Sequence, residues 1–461
     1  MKDTITLTHK LAAFAATSDV QDARMQRFVQ LSLFDWATVG IAGTHEPVAR
    51  AARMMALETA PSSKGATLFG GGRASAAAAA LVNGATSHAL DYDDTHFGHI
   101  GHPSVAVIPA ALAAAETAKA DAATFLDAVA VGLETACRVG AWLGRSHYEA
   151  GFHQTGTSGA FGATAAAARV LGLDAATMSE ALCLAATRAA GLKSQFGTMG
   201  KPLNAGFAAE VGVTCALLAQ AGATSSPDAI EGVQGFGVTH AGSAERAALD
   251  QIGTDWQFPR VSYKFHACCH GLHAMLEALR DLRSAGVVPG DVEAVTIRTH
   301  PRWLAVCNQP APATGLQAKF SYRLTAAMML GGVDTASLEV YSDETCARDD
   351  LQALRDRVTV QPDDSLTDSQ ASVSVVVRGQ TLEAHHDILA DADPNSLEHR
   401  LRAKATTLIG AAAAEDLWNT VSGLGASRST LDRLAERVGA PAQSAGPRVD
   451  PSLAASIMPT A

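Results

Sequence analysis

The sequence predicts a mainly α protein: a large all-helical domain formed by the N- and C-terminal segments, with a smaller α+β domain inserted between them. Three observations carry this reading. The core material is small and aliphatic, because hydrophobic residues make up 48% of the 461 residues and aromatics only 5%, and small side chains let helices approach closely. From Gln21 to about Ala221, segment after segment repeats its apolar residues at helical spacing. After about residue 260 the text alternates and is rich in Val, Ile and Thr, and from Ser396 helical spacing returns.

The elements follow in order. "QDARMQRFVQLSLFDWATVGIAG" has helical periodicity and ends on Gly. "ASAAAAALVNGATSHALDYDD" follows the turn "FGGGR", and "PSVAVIPAALAAAETAKA" opens on Pro103, a favoured first-turn residue. "DAATFLDAVAVGLETACRVGAWLG" starts at an Asp cap and is expected to close on Gly144. Three more helices read out of "TGTSGAFGATAAAARVLGLD", "ATMSEALCLAATRAAG" and "KPLNAGFAAEVGVTCALLAQAG", with no fixed-period repeat, so a bundle is expected rather than a solenoid. Strands are expected in "VEAVTIRTH" and "ASVSVVVRGQTLEAHHDI", with a helix in "KFSYRLTAAMMLGG" between them. The expected bounds are 1–265 plus 400–440 for the helical domain and 266–399 for the α+β domain, with a disordered Pro/Ser/Ala-rich tail over 441–461.

A net charge of −11 and a pI near 5.8 argue against a nucleic-acid partner, since phosphate binding needs a basic face. The start, "MKDTITLTHKLAAFAATSDV", is a poor signal peptide: its apolar stretch is short and Asp3 interrupts the basic region. No membrane span is expected; the run Ile100 to Ala115 comes nearest, but it is Ala-rich and holds His102 and two prolines. Seven cysteines at irregular spacing fit a reducing compartment, so a cytoplasmic location is expected.

Four stretches hold the chemistry. "LDYDDTHFGHIGHPS" (90–104) gathers Asp91, Asp93, Asp94, His96, His99 and His102. "SHYEAGFHQTGTSG" holds His147, Tyr148, His153, Thr155 and Thr157; "FGTMGKPLNAG" sets Lys201 at a Gly-flanked helix start; "YKFHACCHGLH" holds Lys264, His266, Cys268, Cys269, His270 and His273. A metal reading would use His96, His99 and His102, but Gly98, Gly101 and Pro103 break the helix that would align them, and "HACCH" lacks the spacing of a zinc site. The metal-free reading has free helix N–H groups and Lys201 binding a carboxylate, Lys264 as a second cation, and imidazoles moving protons near neutral pH. Bland readings stand beside these: Asp93 and Asp94 as helix caps or partners of buried Arg, His88 as a core histidine on an Ala-rich helix, Tyr148 as a packing aromatic, and Cys268 and Cys269 as small apolar residues.

Taken together, "HALDYDDTH…HPS", "FHQTGTSGAFGATAAAARVLGL", "GTMGKPLNAG", "YKFHACCHGLHA" and "AKFSYRLTAAMML" resemble the MmgE/PrpD family, in order, from about residue 10 to 430. That family includes 2-methylcitrate dehydratase, cis-aconitate decarboxylase and iminodisuccinate epimerase. The resemblance implies that the inserted α+β domain is a lid, that the active site lies between the domains, that the protein is a homodimer, and that it uses no metal and no organic cofactor. Carried over by position, it implies site roles for Asp91, Thr95, His102, His153, Lys201 and Lys264. One departure stands out: where the dehydratase and decarboxylase carry a histidine, this chain has Cys269, as the epimerase does, and "HYEAGFH" is also similar to the epimerase pattern.

The resulting expectation is a cofactor-independent lyase that removes a proton beside a carboxylate of a di- or tricarboxylic acid and eliminates a β-leaving group. An epimerase of an iminodisuccinate-like dicarboxylate is the alternative within the family, and a metal-dependent hydrolase the alternative outside it. His102 and His153 are the expected acid/base pair, with Tyr148 a third candidate. Lys264 and Lys201 would stabilise negative charge, and Asp91 would orient a histidine and fix its tautomer. Thr95, Thr155 and Cys269 complete the expected substrate contacts.

Overall fold

The computed structural model describes residues 6–390, 393–425 and 427–441. They form two compact units, one comprising the residues up to Val261 and those from Ile409 on, the other Ser262–Leu408. The expected disordered tail lies outside the described residues from Ala442 onward.

The first unit is built on α1 (Leu7–Thr17), α2 (Ala23–Gly43), α3 (Pro47–Thr59), α4 (Ala76–Ser87), α5 (Ser104–Ala118), α6 (Ala122–Glu149), α7 (Gln154–Val170), α8 (Ala175–Arg188) and α9 (Gly200–Gln220). Four starts carry side-chain caps: Thr6, Asp22, Asp121 and Asp174 accept the N–H of His9, Met25, Thr124 and Thr177. Each such cap stabilises its helix by about 1 kcal/mol. A short antiparallel pair, β1 (Pro61–Thr67) and β2 (Arg73–Ala74), joins α3 to α4. The C-terminal helices Ala411–Ser422 and Arg428–Val438 pack on this unit. Trp418 meets Phe34 edge-on at 5.1 Å, and Arg428 donates to the Ala115 and Ala120 carbonyls.

Helix α7 is the centre of the bundle, buried along its whole length except at Arg169 and flanked by α5, α6 and α9. Small residues make this possible. A Cβ at Gly162 of α7 would stand 2.6 Å from the Gly132 carbonyl oxygen of α6, and one at Gly206 of α9 would stand 2.5 Å from the Leu81 carbonyl oxygen of α4. By length and composition alone α9 is apolar enough to cross a membrane, but 67% of its apolar window is buried inside the protein, as for a core helix.

Gly144 does not end α6. Its φ of 71° and ψ of −170° put a kink there, and a final turn continues to Glu149. Glycine tolerates that conformation, and the Gly144 carbonyl is held by Gln154 Nε2 at 2.9 Å. The extra turn buries His147 while Tyr148 stays partly exposed.

The second unit holds a four-stranded sheet from β3 (Val292–Thr299), β4 (Val358–Pro362), β5 (Gln370–Val377) and β6 (Gln380–Asp387), in the order β4-β3-β5-β6. Strands β3 and β4 are parallel and the other pairs antiparallel. Arg378 and Gly379, both at positive φ, make the two-residue turn between β5 and β6. Ala371, Val373 and Val375 alternate inward on β5, and the helix His273–Ser284 covers β5 and β6. The helix Pro394–Ile409 groups with this unit through Arg400, which lies 3.7 Å from the Phe265 ring centroid and pairs with Glu277. Glu277 also takes His266 at 3.0 Å and Arg280 at 2.7 Å.

Candidate active site

The site grows from the end of α4. His88 caps that helix, and the chain reverses through Asp91, whose φ of 50° is left-handed. The loop then closes on itself: His96 N–H donates to the Gly101 carbonyl at 2.9 Å, and Ile100 also takes a positive φ. Asp94 receives the Ser104 hydroxyl at 2.5 Å and the Ser104 N–H at 3.4 Å, so it fastens the loop to the start of α5. Burial pushes the Asp94 carboxyl up to about 8.

Asp93 points into the protein between two imidazoles. Its Oδ1 accepts from His88 Nδ1 at 2.9 Å, and its Oδ2 faces His102 Nδ1 at 2.8 Å. Burial alone would raise this carboxyl, but His88 and His102 outweigh it and hold Asp93 well below the usual carboxylate range. The His88 and His102 rings are 4.5 Å apart, and His88 stacks toward His153 at 6.1 Å. His88 Nδ1 faces Asp93, and its buried Nε2 has no hydrogen-bond partner among the described residues.

His102 Nε2 looks outward to Asp91 Oδ1 at 3.6 Å, and Asp91 Oδ2 pairs with Lys201 Nζ at 2.6 Å. The Lys201 ammonium lies 5.4 Å from the Phe196 ring centroid. His153 caps α7, with its ring edge-on to Phe196 at 4.9 Å. Asn204 Nδ2 donates to His153 Nδ1 at 3.1 Å, and its approach to the Leu192 carbonyl at 3.4 Å fixes the amide orientation. Burial, then the charge of Lys201, hold His153 well below its ordinary value. It is therefore neutral, with its hydrogen on Nε2. Thr155 Oγ1 accepts the His102 N–H at 3.0 Å, which positions that residue's backbone.

His102, His153, Asp91, Lys201 and Thr155 thus come together. Histidine-orienting geometry belongs to Asp93, whereas half-exposed Asp91 pairs with Lys201. The sequence leaves His88 open as a core histidine and Asp93 as a helix cap or partner of a buried Arg, and it does not single out Asn204. The available signal was position, since His88 immediately precedes the Asp-rich loop and Asn204 stands one helical turn after Lys201. Tyr148 lies under the Lys193 ammonium, 3.9 Å from its ring centroid. Thr95 is half-buried where the closed loop begins. Lys264 and Cys269 belong to the second unit, Lys264 buried and Cys269 Sγ 3.2 Å from Cys307 Sγ.

One expectation needs correcting. The start of α9 offers no free N–H groups for an anion: Gly200 and Lys201 donate to Thr198, Leu203 donates to Met199, and Pro202 has no N–H. The disfavoured metal reading finds no support in the positions of His96, His99 and His102. His96 spends Nε2 on the Gln257 carbonyl and Nδ1 on the His99 N–H, while His99 Nε2 meets Ser158 Oγ. Burial pushes His96 and His99 down to about 4 and about 3. Among the described residues, the side chains whose ligand atoms lie within 4.8 Å of one another are His88, Asp91, Asp93 and His102. In that group both Asp93 oxygens already face imidazole nitrogens and Asp91 holds a lysine, so a cation would have to displace Lys201 and imidazole protons to bind.

The MmgE/PrpD N-terminal domain matches residues 9–248 and the MmgE/PrpD C-terminal domain matches residues 266–417. The chain belongs to the MmgE/PrpD family. A cis-aconitate decarboxylase-like protein of Aspergillus oryzae is 27% identical over 457 residues, covering 91% of this chain and 94% of its own length. The human cis-aconitate decarboxylase is 26% identical, covering 75% of this chain and 74% of its own. The cis-aconitate decarboxylase of Aspergillus terreus is 31% identical over 45% of each chain. In this MmgE/PrpD chain the whole cluster of His88, Asp91, Asp93, His102, His153 and Lys201 falls inside the N-terminal match.

Proposed function

We propose that the protein is a lyase acting on a di- or tricarboxylic acid without a metal or organic cofactor, by moving a proton at the carbon beside a carboxylate. The observation that carries this reading is the Asp93 carboxylate shared by His88 and His102, with neutral His153 and Lys201 beside it. With Asp93 drawing the hydrogen to Nδ1, the Nε2 of His102 is a base, and the imidazolium it becomes is stabilised by a buried anion. His153 Nε2–H is a donor to the substrate or to the leaving group. Lys201 exchanges its Asp91 partner for a substrate carboxylate and offsets the negative charge that develops there. Elimination of a β-leaving group and loss of carbon dioxide both pass through that charge; the relatives' names favour the second outcome and the chain's sequence alone favoured the first.

Proton NMR of EDTA-treated protein in heavy water tests the reading. The panel holds citrate, methylcitrate, cis-aconitate, iminodisuccinate and simpler dicarboxylates. A new alkene signal or release of carbon dioxide supports a lyase. Deuteration with inverted configuration supports the epimerase reading, to which Cys269 points. Activity that appears only with added zinc or manganese would overturn the metal-free mechanism.

A further inference from the structure

In the second unit two cysteine thiols stand side by side. Cys269 Sγ and Cys307 Sγ are 3.2 Å apart across 38 residues of sequence. Each backbone is pinned. Cys269 N–H donates to the Lys319 carbonyl at 3.0 Å, Cys307 N–H to the Trp303 carbonyl at 2.7 Å, and the Cys307 carbonyl accepts from Tyr322 N–H at 3.1 Å. The surroundings are tied together as well: Tyr322 OH donates to the Gly271 carbonyl at 2.7 Å, and the Trp303 ring packs against Gly271. The sulfurs therefore meet because two short turns, Pro301–Ala305 and His270–Leu272, are braced against one another. A covalent S–S bond of about 2.05 Å asks for a shift of only about 1 Å, within reach of small side-chain rotations.

We propose that Cys269 and Cys307 are a reversible disulfide site, closed by a low-molecular-weight disulfide such as oxidised glutathione. Access sets the order of events. Cys269 is partly exposed, whereas Cys307 is fully buried. The Cys269 thiolate attacks one glutathione sulfur, forming a mixed disulfide and releasing one glutathione thiol. Cys307, having lost its proton to solvent, then attacks Cys269 Sγ, forming the internal bond and expelling the second glutathione as its thiolate. Two protein thiols are oxidised and one glutathione disulfide is reduced to two thiols. Burial pushes the Cys307 thiol well up, which slows the second step in isolation, but its fixed place beside Cys269 makes that step intramolecular. Neighbouring Cys268 is buried, with its thiol engaged by Tyr341 and pushed up to about 12, so it is the weaker competitor. Cys269 is also the residue that points to the epimerase reading, but the linkage readout requires no carboxylate substrate.

The test is a linkage map of the purified full chain. The protein is incubated with oxidised glutathione at mildly alkaline pH, remaining thiols are capped with N-ethylmaleimide, and peptides are sequenced by mass spectrometry without reductant. The expected result is a cross-linked pair carrying Cys269 and Cys307, lost on adding dithiothreitol, with Cys268 capped. In Cys307→Ser the glutathione should stay on Cys269 as a trapped adduct. The proposal is overturned if the unaltered chain keeps both residues capped, holds a lasting glutathione on Cys269, or links Cys268 instead. This readout needs no variant and no substrate, so a misfolding substitution or a wrong reading of the reaction leaves it decisive.

Discussion

His102 Nδ1 lies 2.8 Å from Asp93 Oδ2, inside a protein that has also placed His88 Nδ1 2.9 Å from the other oxygen of the same carboxylate. One buried anion thus fixes the tautomers of two rings. Asp93→Asn leaves a single acceptor oxygen and turns the other position into a donor, so one ring must present its lone pair inward. We expect kcat to fall by about 10²–10⁴-fold with little change in KM, by analogy with the tautomer loss seen in other imidazole sites. Steady-state kinetics on whichever panel substrate is turned over, with circular dichroism as a fold control, checks this; unchanged kcat would remove Asp93 from the mechanism.

The loop between α4 and α5 contains groups whose protonation pulls stability in opposite directions. Burial raises Asp94 to about 8 from its ordinary 3.8, so its contribution is fully present below about pH 4 and is lost as pH rises toward 8. The slope is at most about 1.4 kcal/mol per pH unit. His96 and His99 are depressed to about 4 and about 3 from 6.5; their contribution is present above pH 6.5 and is lost as pH falls through that range. Asp94→Asn should therefore gain on the unaltered chain as pH rises from 5 to 8. His99→Gln should flatten the loss of stability below pH 6.5. Denaturant melts across pH read both, and parallel curves for Asp94→Asn would contradict the buried, protonated acid.

Much of the architecture was legible because helical periodicity survives an Ala-rich composition, and because the alternation in "ASVSVVV" survives as β5. What was not legible depended on tertiary packing. The kink at Gly144 cannot be told from a helix end without knowing that Gln154 holds its carbonyl. The same limit applied to the site. A histidine such as His88, on a helix of Ala and Leu, has the same local text whether its partner is a core carbonyl or Asp93. The free N–H groups expected before Lys201 were lost to Thr198, a local turn that no spacing rule announces.

Helix packing in the first unit rests on bare backbone contacts that tolerate no side chain. A Cβ at Gly206 would meet the Leu81 carbonyl oxygen at 2.5 Å and the Ala85 Cβ at 3.2 Å. Gly206→Ala should force α9 off α4 and destabilise the protein by about 1–3 kcal/mol, despite alanine's better helix propensity. Gly172→Asn makes a useful control, since nothing stands within 4 Å of its Cβ position and its φ of 69° suits asparagine. A thermal midpoint for Gly206→Ala equal to that of the control would refute the close contact.

Lys201 and Asp91 form an ion pair at 2.6 Å in which the carboxylate is 44% exposed and the lysine 17%. In the proposed reaction the substrate carboxylate takes the place of Asp91 on Lys201, so Asp91 is a competitor for the cation as well as a neighbour of His102 Nε2. Asp91→Asn removes the competing charge. Binding of an unreactive dicarboxylate should then strengthen by a few-fold, a modest gain because an exposed pair contributes only about 0–1 kcal/mol. Turnover should nonetheless fall, because the imidazolium of His102 loses a second nearby anion. Lys201→Ala should weaken both, with kcat/KM lower by about 10²–10³-fold. Calorimetric titration separates the two effects: tighter binding with slower turnover in Asp91→Asn is the signature of a carboxylate that holds the lysine until substrate arrives, and weaker binding there would mean that Asp91 acts on the substrate directly.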